Sequence, residues 1–438
     1  MAVPDRSIDK EILRLAVPAL GALGAEPLYV LVDTAVVGHL GTPHLGGLGV
    51  AASVLTTAFF LFNFLAYGTT AAVARLFGAG RHVGAAEQAV QGAWLAVAIG
   101  TVLSIVGVVL APAAVSAMGA GPLVRPHAVL YLTVSALGAP AVLIALVGVG
   151  YLRGMQDTKT TLVVALGSNL ANLLIEIVLI FGLGMGVGAS AAATVVAQYA
   201  AAIAYLVLIR RSVSASAISL RPVWRQIRVL IRVARDLFIR TGSLLAALAV
   251  ATAMASRMGA VAIGTHQVAF QVWSFLALLL DALAIAGQAM VGRFLGAGDA
   301  DRAVRAGRRM LQWGAVGGIG TGLLVVGARP FVLPLFTSDR EVIELGLSVL
   351  LIVAVMQPIN GVVFVLDGLL IGAGDLRYLA GAMAASSVTF IPLAIAIRMS
   401  GRGLVALWGA VCILMLTRLA ALAWRWRSRR WVVVGSGP

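Results

Sequence analysis

The chain is poor in the residue types that most chemistry needs. Its one cysteine, Cys412, lies in an apolar run, which excludes an internal disulfide and marks a small packing residue. Only 11% of its 438 residues are charged, against about 25% in an average soluble domain, so it cannot cover itself with a solvated surface. The histidines His39, His44, His82 and His127 fall near predicted loops, and no HxxxH or Cys/His grouping offers a transition-metal site. No GxxxxGK[ST] loop is present to cradle a nucleotide phosphate, and GxSxG and HExxH are both missing. These gaps argue against an enzyme and against any bound cofactor. An intramembrane enzyme remains only as a weak alternative.

Apolar sequence is what the chain has in abundance. It is 61% hydrophobic with a mean hydropathy of +1.02. A membrane-crossing helix needs about 20 apolar residues, and runs of that length follow one another with short breaks. Twelve are expected, at 11–38, 45–74, 86–112, 127–152, 160–184, 187–210, 233–257, 261–292, 304–327, 343–371, 376–399 and 403–424. They are too long and continuous for barrel strands, and only helices or closed barrels satisfy the backbone in lipid. The fold class is therefore an all-α integral membrane protein. The first run is expected to be a span rather than a cleaved leader, because it has a counterpart deep in the chain.

That counterpart belongs to a repeat at a constant offset of 218. Arg75, Gly78 and Gly80 return as Arg293, Gly296 and Gly298, Gly41 as Gly259, and Pro112 as Pro330. Pro140, Gly150, Gly154 and Asp157 return as Pro358, Gly368, Gly372 and Asp375. Six helices per copy start and finish each copy on the same side, so the copies are parallel repeats forming two lobes. The expected division is 1–210 for an N-terminal six-helix lobe, 211–232 for a basic linker and 233–438 for a C-terminal six-helix lobe with a basic tail. The stretch from Val223 to Val233 alternates arginine with apolar residues and is expected to lie as an amphipathic helix on the inner surface.

The net charge of +15 would fit nucleic acid in a soluble protein, but its placement says otherwise. Arg210 to Arg235 fill the linker, Arg302 to Arg309 follow helix eight, and Arg425 to Arg430 follow helix twelve. With alternating helices all of these fall on one side. Positive residues mark the cytoplasmic side, so both termini and the linker are expected there, in a multi-pass protein of the cell inner membrane. The partners expected are lipid head groups rather than nucleic acid.

Acidic groups inside spans cost about 2.5–3.5 kcal/mol each on insertion scales, so they are functional candidates by default. Five qualify: Glu26, Asp33, Glu176, Asp281 and Asp367. None has a lysine or arginine one turn away on its own helix. Asp33 lies about 8 Å below the outer end of helix one at the usual rise, with Tyr29 one turn earlier on its face. Pro18 and Pro27 each remove a helix hydrogen bond, so this helix can bend. Helix five carries Asn169, Asn172 and Glu176 at spacings that share one face, and helix six carries Thr194 and Gln198. Asp33, Glu176 and Thr194 come out at similar depth. Their second-copy counterparts are Ala251, Ala394 and Cys412, so the cluster is one-sided and is not needed to build a lobe. Two carboxylates in one hydrated pocket repel unless a proton or cation joins them, so Asp33 and Glu176, with Asn172 and Thr194 as neutral oxygen partners, are expected to form a proton or cation site.

Other polar residues carry less. Asn63 and Asp281 are repeat equivalents near the inner ends of helices two and eight, where a structural pair and a second cavity lining are equally good readings. Asp367 is expected to snorkel to the inner interface. His266 and Gln267 are expected to be solvated near the outer surface. Arg240 is the intramembrane base of note.

At these residues the chain resembles the multidrug and toxic compound extrusion (MATE) family, in its DNA-damage-inducible protein F (DinF) branch. The resemblance rests on LVDTAVVGHLG at 31–41, YLRGMQDTKT at 151–160, IFGLGMGVGASAAATVVAQ at 180–198, THQVAFQVW at 265–273, QAMVGRFLGAGD at 288–299 and DGLLIGAGDLRYL at 367–379. It implies a V-shaped pair of six-helix lobes in a monomer that exports cationic or amphipathic compounds in exchange for H⁺ or Na⁺. In such proteins the first-helix acid couples the ion, which is Asp33 here, with Pro18 matching the bending proline. Tyr29, Glu26, Asn169, Gln198, Asn63 and Asp281 are then cavity residues. Glu176 stands where better-known members have aspartate, which leaves H⁺ against Na⁺ open. A lipid-linked precursor flippase is the alternative, and it would place bases in the cavity. A major-facilitator transporter is disfavoured because RLFGAGR stands where GxxxDRxGR belongs.

Overall fold

A computed structural model describes residues 6–212 and 219–435. Residues 213–218, part of the expected linker, lie outside the described residues. Every regular element described is helical. Among the described residues, eleven helices are long and apolar enough to cross a bilayer, and twelve when one bent pair counts as a single span. This is the all-α membrane architecture that the apolar runs predict.

The chain divides into two compact units. One holds Val17–Ala234, and the other holds Met1–Ala16 with Arg235–Pro438. The cuts before Val17 and Arg235 stand 218 positions apart, the same offset as the sequence repeat. The second cut lies two residues beyond the end of the expected linker, and the first lies inside the expected N-terminal lobe. Helix α1 (Arg6–Gly38) and helix α9 (Trp224–Ser256) each run through a cut. The first turns of each copy therefore belong to the unit built by the other copy. The arginine-rich stretch from Val223 to Val233 is not a separate surface helix. No glycine or proline stands between Arg225 and Thr241 to stop it, so it forms the opening turns of α9.

Within Val17–Ala234, α1 is followed by α2 (Thr42–Phe60), a 3₁₀ turn at Leu61–Asn63 and α3 (Phe64–Gly78), which together make one span. Next come α4 (His82–Ala117), then α5 (Arg125–Ala136) and α6 (Ala139–Gly154), which meet at a 50° bend. Then follow α7 (Thr158–Ile177), a π-turn at Val178–Gly182, and α8 (Val187–Arg211). At the bend Pro140 removes one helix donor, and the carbonyl of Leu137 accepts from the Tyr199 hydroxyl at 3.0 Å. Gln91 of α4 holds the incoming segment of the linker. Its amide donates to the Arg221 carbonyl at 3.0 Å and its oxygen accepts from the Val223 N–H at 2.7 Å.

The second unit is less interrupted. It holds α10 (Ala260–Gly296), α11 (Ala300–Phe336), α12 (Arg340–Gly372), α13 (Leu376–Met399) and α14 (Gly403–Arg427). Side-chain caps start several helices: Asp157 accepts from Thr160 N–H at 2.9 Å, and Asp299 accepts from Arg302 N–H at 2.8 Å. The start of α1 is pinned here by Asp9, whose carboxylate takes both Nε and Nη2 of Arg309 at 2.6 and 2.8 Å, and by Glu11 with Arg293 at 2.5 Å. Arg309 is the repeat equivalent of Gln91, so one position in each copy grips the entering segment. Close packing depends on Gly100 and its equivalent Gly318. A Cβ on Gly100 would run into the backbone of Pro140, and one on Gly318 into that of Gln357 and Pro358.

Candidate functional site: a buried acid pair

The site lies in the unit Val17–Ala234, where α1, α5, α7 and α8 each supply polar side chains. Asp33 comes from α1 and is 5% exposed. Its Oδ1 accepts from Tyr29, one turn earlier, at 3.3 Å and from Ser190 of α8 at 3.1 Å. Asn172 of α7 donates to the Tyr29 hydroxyl and also to Thr194 Oγ1 at 3.1 Å. Thr194 donates in turn to the Ser190 carbonyl at 3.0 Å. Tyr131 of α5 is buried close to Ser190 and Thr194. The result is a directed chain from Asn172 through Tyr29 to Asp33.

Glu176 completes it. The side chain is fully buried, and its carboxylate lies near Asp33 and Ser190. The single Ser190 proton is spent on Asp33. Among the described residues, neither Glu176 oxygen receives a donor, and the Asn172 amide oxygen receives none either. Three buried oxygens of this cluster are thus left without a donor. A buried charge in that position is costly unless a proton or cation neutralises it. Immediately after Glu176, α7 widens into the π-turn, an irregularity often found at functional sites.

The spacing argument thus brought Asp33, Tyr29, Asn172, Glu176 and Thr194 to one place. It missed Ser190 and Tyr131. Ser190 stands four residues before Thr194 on the same face, so the signal was there to use. Tyr131 gives none, because its role depends on how α5 docks. Other predicted residues stand apart. Asn169 donates to the Ala25 carbonyl at 3.3 Å. Gln198 packs at the bend, where a Cβ on Gly138 would strike its side-chain oxygen. Glu26 and Pro27 are exposed on α1, and Pro18 is the second residue of this unit. Asn63 sits at the 3₁₀ turn that breaks span two, half-buried. In the other unit Asp281 is half-buried on α10. Among the described residues, no group of three or more His, Cys, Asp and Glu side chains could hold a metal.

Two expectations in the second unit are corrected. Asp367 does not snorkel to the interface. It is buried, and its Oδ2 accepts from Arg240 of α9 at 2.7 Å and from Arg418 of α14. Both partners lie on other helices, where spacing along α12 cannot reveal them. His266 is not solvated either. It is 2% exposed, packs against Trp408 and Phe270, and meets the Thr252 hydroxyl at 3.0 Å, whereas Gln267 is exposed as expected.

A profile of the MatE family matches residues 18–178 and 244–396, most of both units. The chain belongs to the MatE family. DNA damage-inducible protein F of Escherichia coli (strain K12) is 30% identical over 435 residues, covering 97% of this chain and 94% of the relative. Protein DETOXIFICATION 44, chloroplastic, of Arabidopsis thaliana is 33% identical over 455 residues, covering 99% and 86%. The fold matches a crystal structure of MATE in the bent conformation with a TM-score of 0.87 at 20% identity, covering 96% and 95%. This MATE protein of the DinF-like branch is thus a multi-pass membrane transporter for small molecules, not an enzyme. Family members of this kind need no cofactor.

Proposed function

We propose that this MATE protein is a secondary antiporter that exports cationic or amphipathic compounds in exchange for H⁺ or Na⁺. The observation that carries the reading is the buried Asp33–Glu176 pair, with the oxygens of Glu176 and Asn172 left without a donor in the same cluster. A proton shared between the carboxyl groups removes one charge and supplies the missing donor. A sodium ion ligated by Asp33, Glu176, Asn172 and Thr194 does the same with four oxygen ligands. Either ion, entering from the outer side, relaxes the repulsion between the acids. It also changes what Tyr29 and Ser190 hold on α1, and α1 carries Pro18 and Pro27 as bending points. Bending of α1 is then the step that releases substrate outward. The basic residues of the linker and tail support an inner-membrane protein with both termini cytoplasmic. A monomer is the proposed working unit, since Asp33, Asn172, Glu176 and Thr194 all lie in the unit Val17–Ala234.

The test is efflux from proteoliposomes carrying the purified protein, with ethidium as cargo and either a proton or a sodium gradient imposed. Wild type should export under one of them, and Asp33→Asn should fold normally yet export under neither. Wild-type export from a normally folded Asp33→Asn protein would refute the coupling role.

A further inference from the structure

The end of the unit Val17–Ala234 that the proposed topology turns outward carries a histidine pair with no part in the acid site. His44 lies in the first turn of α2 and His127 in the first turn of α5, and their ring centroids stand 3.9 Å apart at 47°. The two helices are close there. A Cβ on Gly47 would meet the Cβ of His127 at 2.7 Å and the backbone of Ala128 at 2.9 Å. His44 also borders the start of α8, where a Cβ on Gly186 would lie 3.7 Å from its ring. Its Nδ1 is buried and, among the described residues, has no hydrogen-bond partner.

The stretches 38–60, 92–128 and 177–198 form this end of α1, α2, α4, α5, α7 and α8. They hold no Asp, Glu or Lys, and their one arginine, Arg125, is exposed. His39 is engaged elsewhere: its Nδ1 donates to the Ala35 carbonyl at 2.7 Å and its ring meets Phe181 edge-on. Farther in, Val37, Leu48, Ala51, Val187 and Ala191 are buried in one apolar cluster with Tyr131. Asp33 stands one turn before Val37 on α1, and Tyr131 one turn after His127 on α5. The apolar layer thus lies between the pair and the acid site. The repeat equivalents of His44 and His127 are Ala262 and Leu345, so a lobe of this fold is built without either ring.

We propose that the His44–His127 pair is an acid-sensitive clasp over the acid site. While at least one ring is neutral, the rings pack and hold the first turns of α2 and α5 together. A proton on each ring sets two like charges against one another, with no carboxylate near to offset them, and the rings part. Imidazole suits this task because its charge changes in the mildly acid range. Parting of the rings loosens the apolar layer and opens a way for a proton or hydrated cation to reach Asp33 and Glu176. This rests on the exporter reading above and adds control by the outer medium: the acid site is uncovered when protons outside are plentiful.

The test uses purified protein in neutral detergent. In a Cys412→Ser background, Ala51→Cys places a thiol in the apolar layer, where Ala51 is fully buried, and Leu123→Cys places one on the α4–α5 connection, where Leu123 is 78% exposed. Each is reacted with a charged methanethiosulfonate at pH about 8 and about 5, the two sides of the imidazole range. The rate at position 51 is divided by the rate at position 123, which offsets the pH dependence of thiol chemistry. With both histidines present the ratio should rise about tenfold in acid, as like-charge repulsion of this size implies. The double variant His44→Ala, His127→Leu installs the residues of the other copy and should keep the ratio flat. His44→Gln and His127→Gln each leave one ring, should flatten the response as well, and carry the test if the double variant does not fold. A ratio that fails to rise with both histidines present, or that rises equally in the folded histidine variants, would overturn the clasp. No transport is read, so a failure here is distinct from a failure of the Asp33 coupling test.

Discussion

In the unit Val17–Ala234, seven polar side chains meet: Tyr29, Asp33, Tyr131, Asn172, Glu176, Ser190 and Thr194. At the equivalent positions of the other unit stand Ala247, Ala251, Val349, Phe390, Ala394, Trp408 and Cys412. All but Cys412 are buried there, and Phe390 and Trp408 are only 1% exposed. One architecture thus holds a hydrogen-bonded acid pair in one copy and a packed apolar core in the other. The apolar version is the one that folding alone favours, because burying two carboxylates without a cation costs several kcal/mol. The polar version therefore has a purpose beyond folding. The second unit departs in the opposite sense elsewhere, with Arg240, Asp367 and Arg418 where the first has Ala22, Val149 and Ala200. Irregular backbone follows the acids. The 3₁₀ turn at Leu61–Asn63, the 50° bend before Pro140 and the π-turn after Glu176 all lie in the first unit, whereas α10, α12 and α13 run unbroken.

The contrast can be broken from either side. The largest effect is expected from moving the acid across it. Ala251→Asp puts an unpaired carboxylate into the apolar core and should destabilise the protein by at least about 3 kcal/mol, read as a lower melting temperature and aggregation in size-exclusion chromatography. Asp33→Ala, the mirror change, should keep the melting temperature and lose coupled efflux. If the two variants unfold alike, the acid pair is part of the fold and the comparison fails.

Glu176→Gln should come next. It leaves Asp33 with its Tyr29 and Ser190 donors and replaces the orphaned carboxylate by an amide, so coupled transport should weaken by about tenfold rather than vanish. Initial rates in proteoliposomes measure it, and a loss equal to that of Asp33→Asn would show that the two acids are not ranked. The smallest effect is expected from Ser190→Ala. It removes one hydrogen bond to a charged group, about 1.5–3 kcal/mol at most, and should shift the half-saturating coupling-ion concentration while leaving the maximal rate near wild type. No shift would remove Ser190 from the site.

Sequence spacing made the acid site legible because its members repeat at three and four residues on single helices. Asn172 and Glu176 on α7, and Tyr29 and Asp33 on α1, are visible in this way. What spacing could not give was contact between helices. Asp367 looked like an interfacial acid because its two arginines lie 127 and 51 residues away along the chain. His266 looked solvated because Trp408, which covers it, comes from α14. The span boundaries were legible from hydropathy, but the interruptions were not. Pro140 and Pro358 are equivalent, yet only the first accompanies a sharp bend, where Gly138 stands in place of Met356. The exchange of opening turns between the units was likewise hidden, since it depends on what Asp9, Glu11 and Gln91 find to bind.

The central claim is that Asp33 and Glu176 together exchange an ion for substrate, and ion release measures it most directly. Purified protein in weakly buffered detergent solution is mixed with ethidium while a pH-indicator dye and a sodium electrode report the medium. Wild type should release protons or sodium in proportion to the ethidium bound, and the Asp33→Asn, Glu176→Gln double variant should release neither while remaining folded. The same release from the double variant would contradict the account.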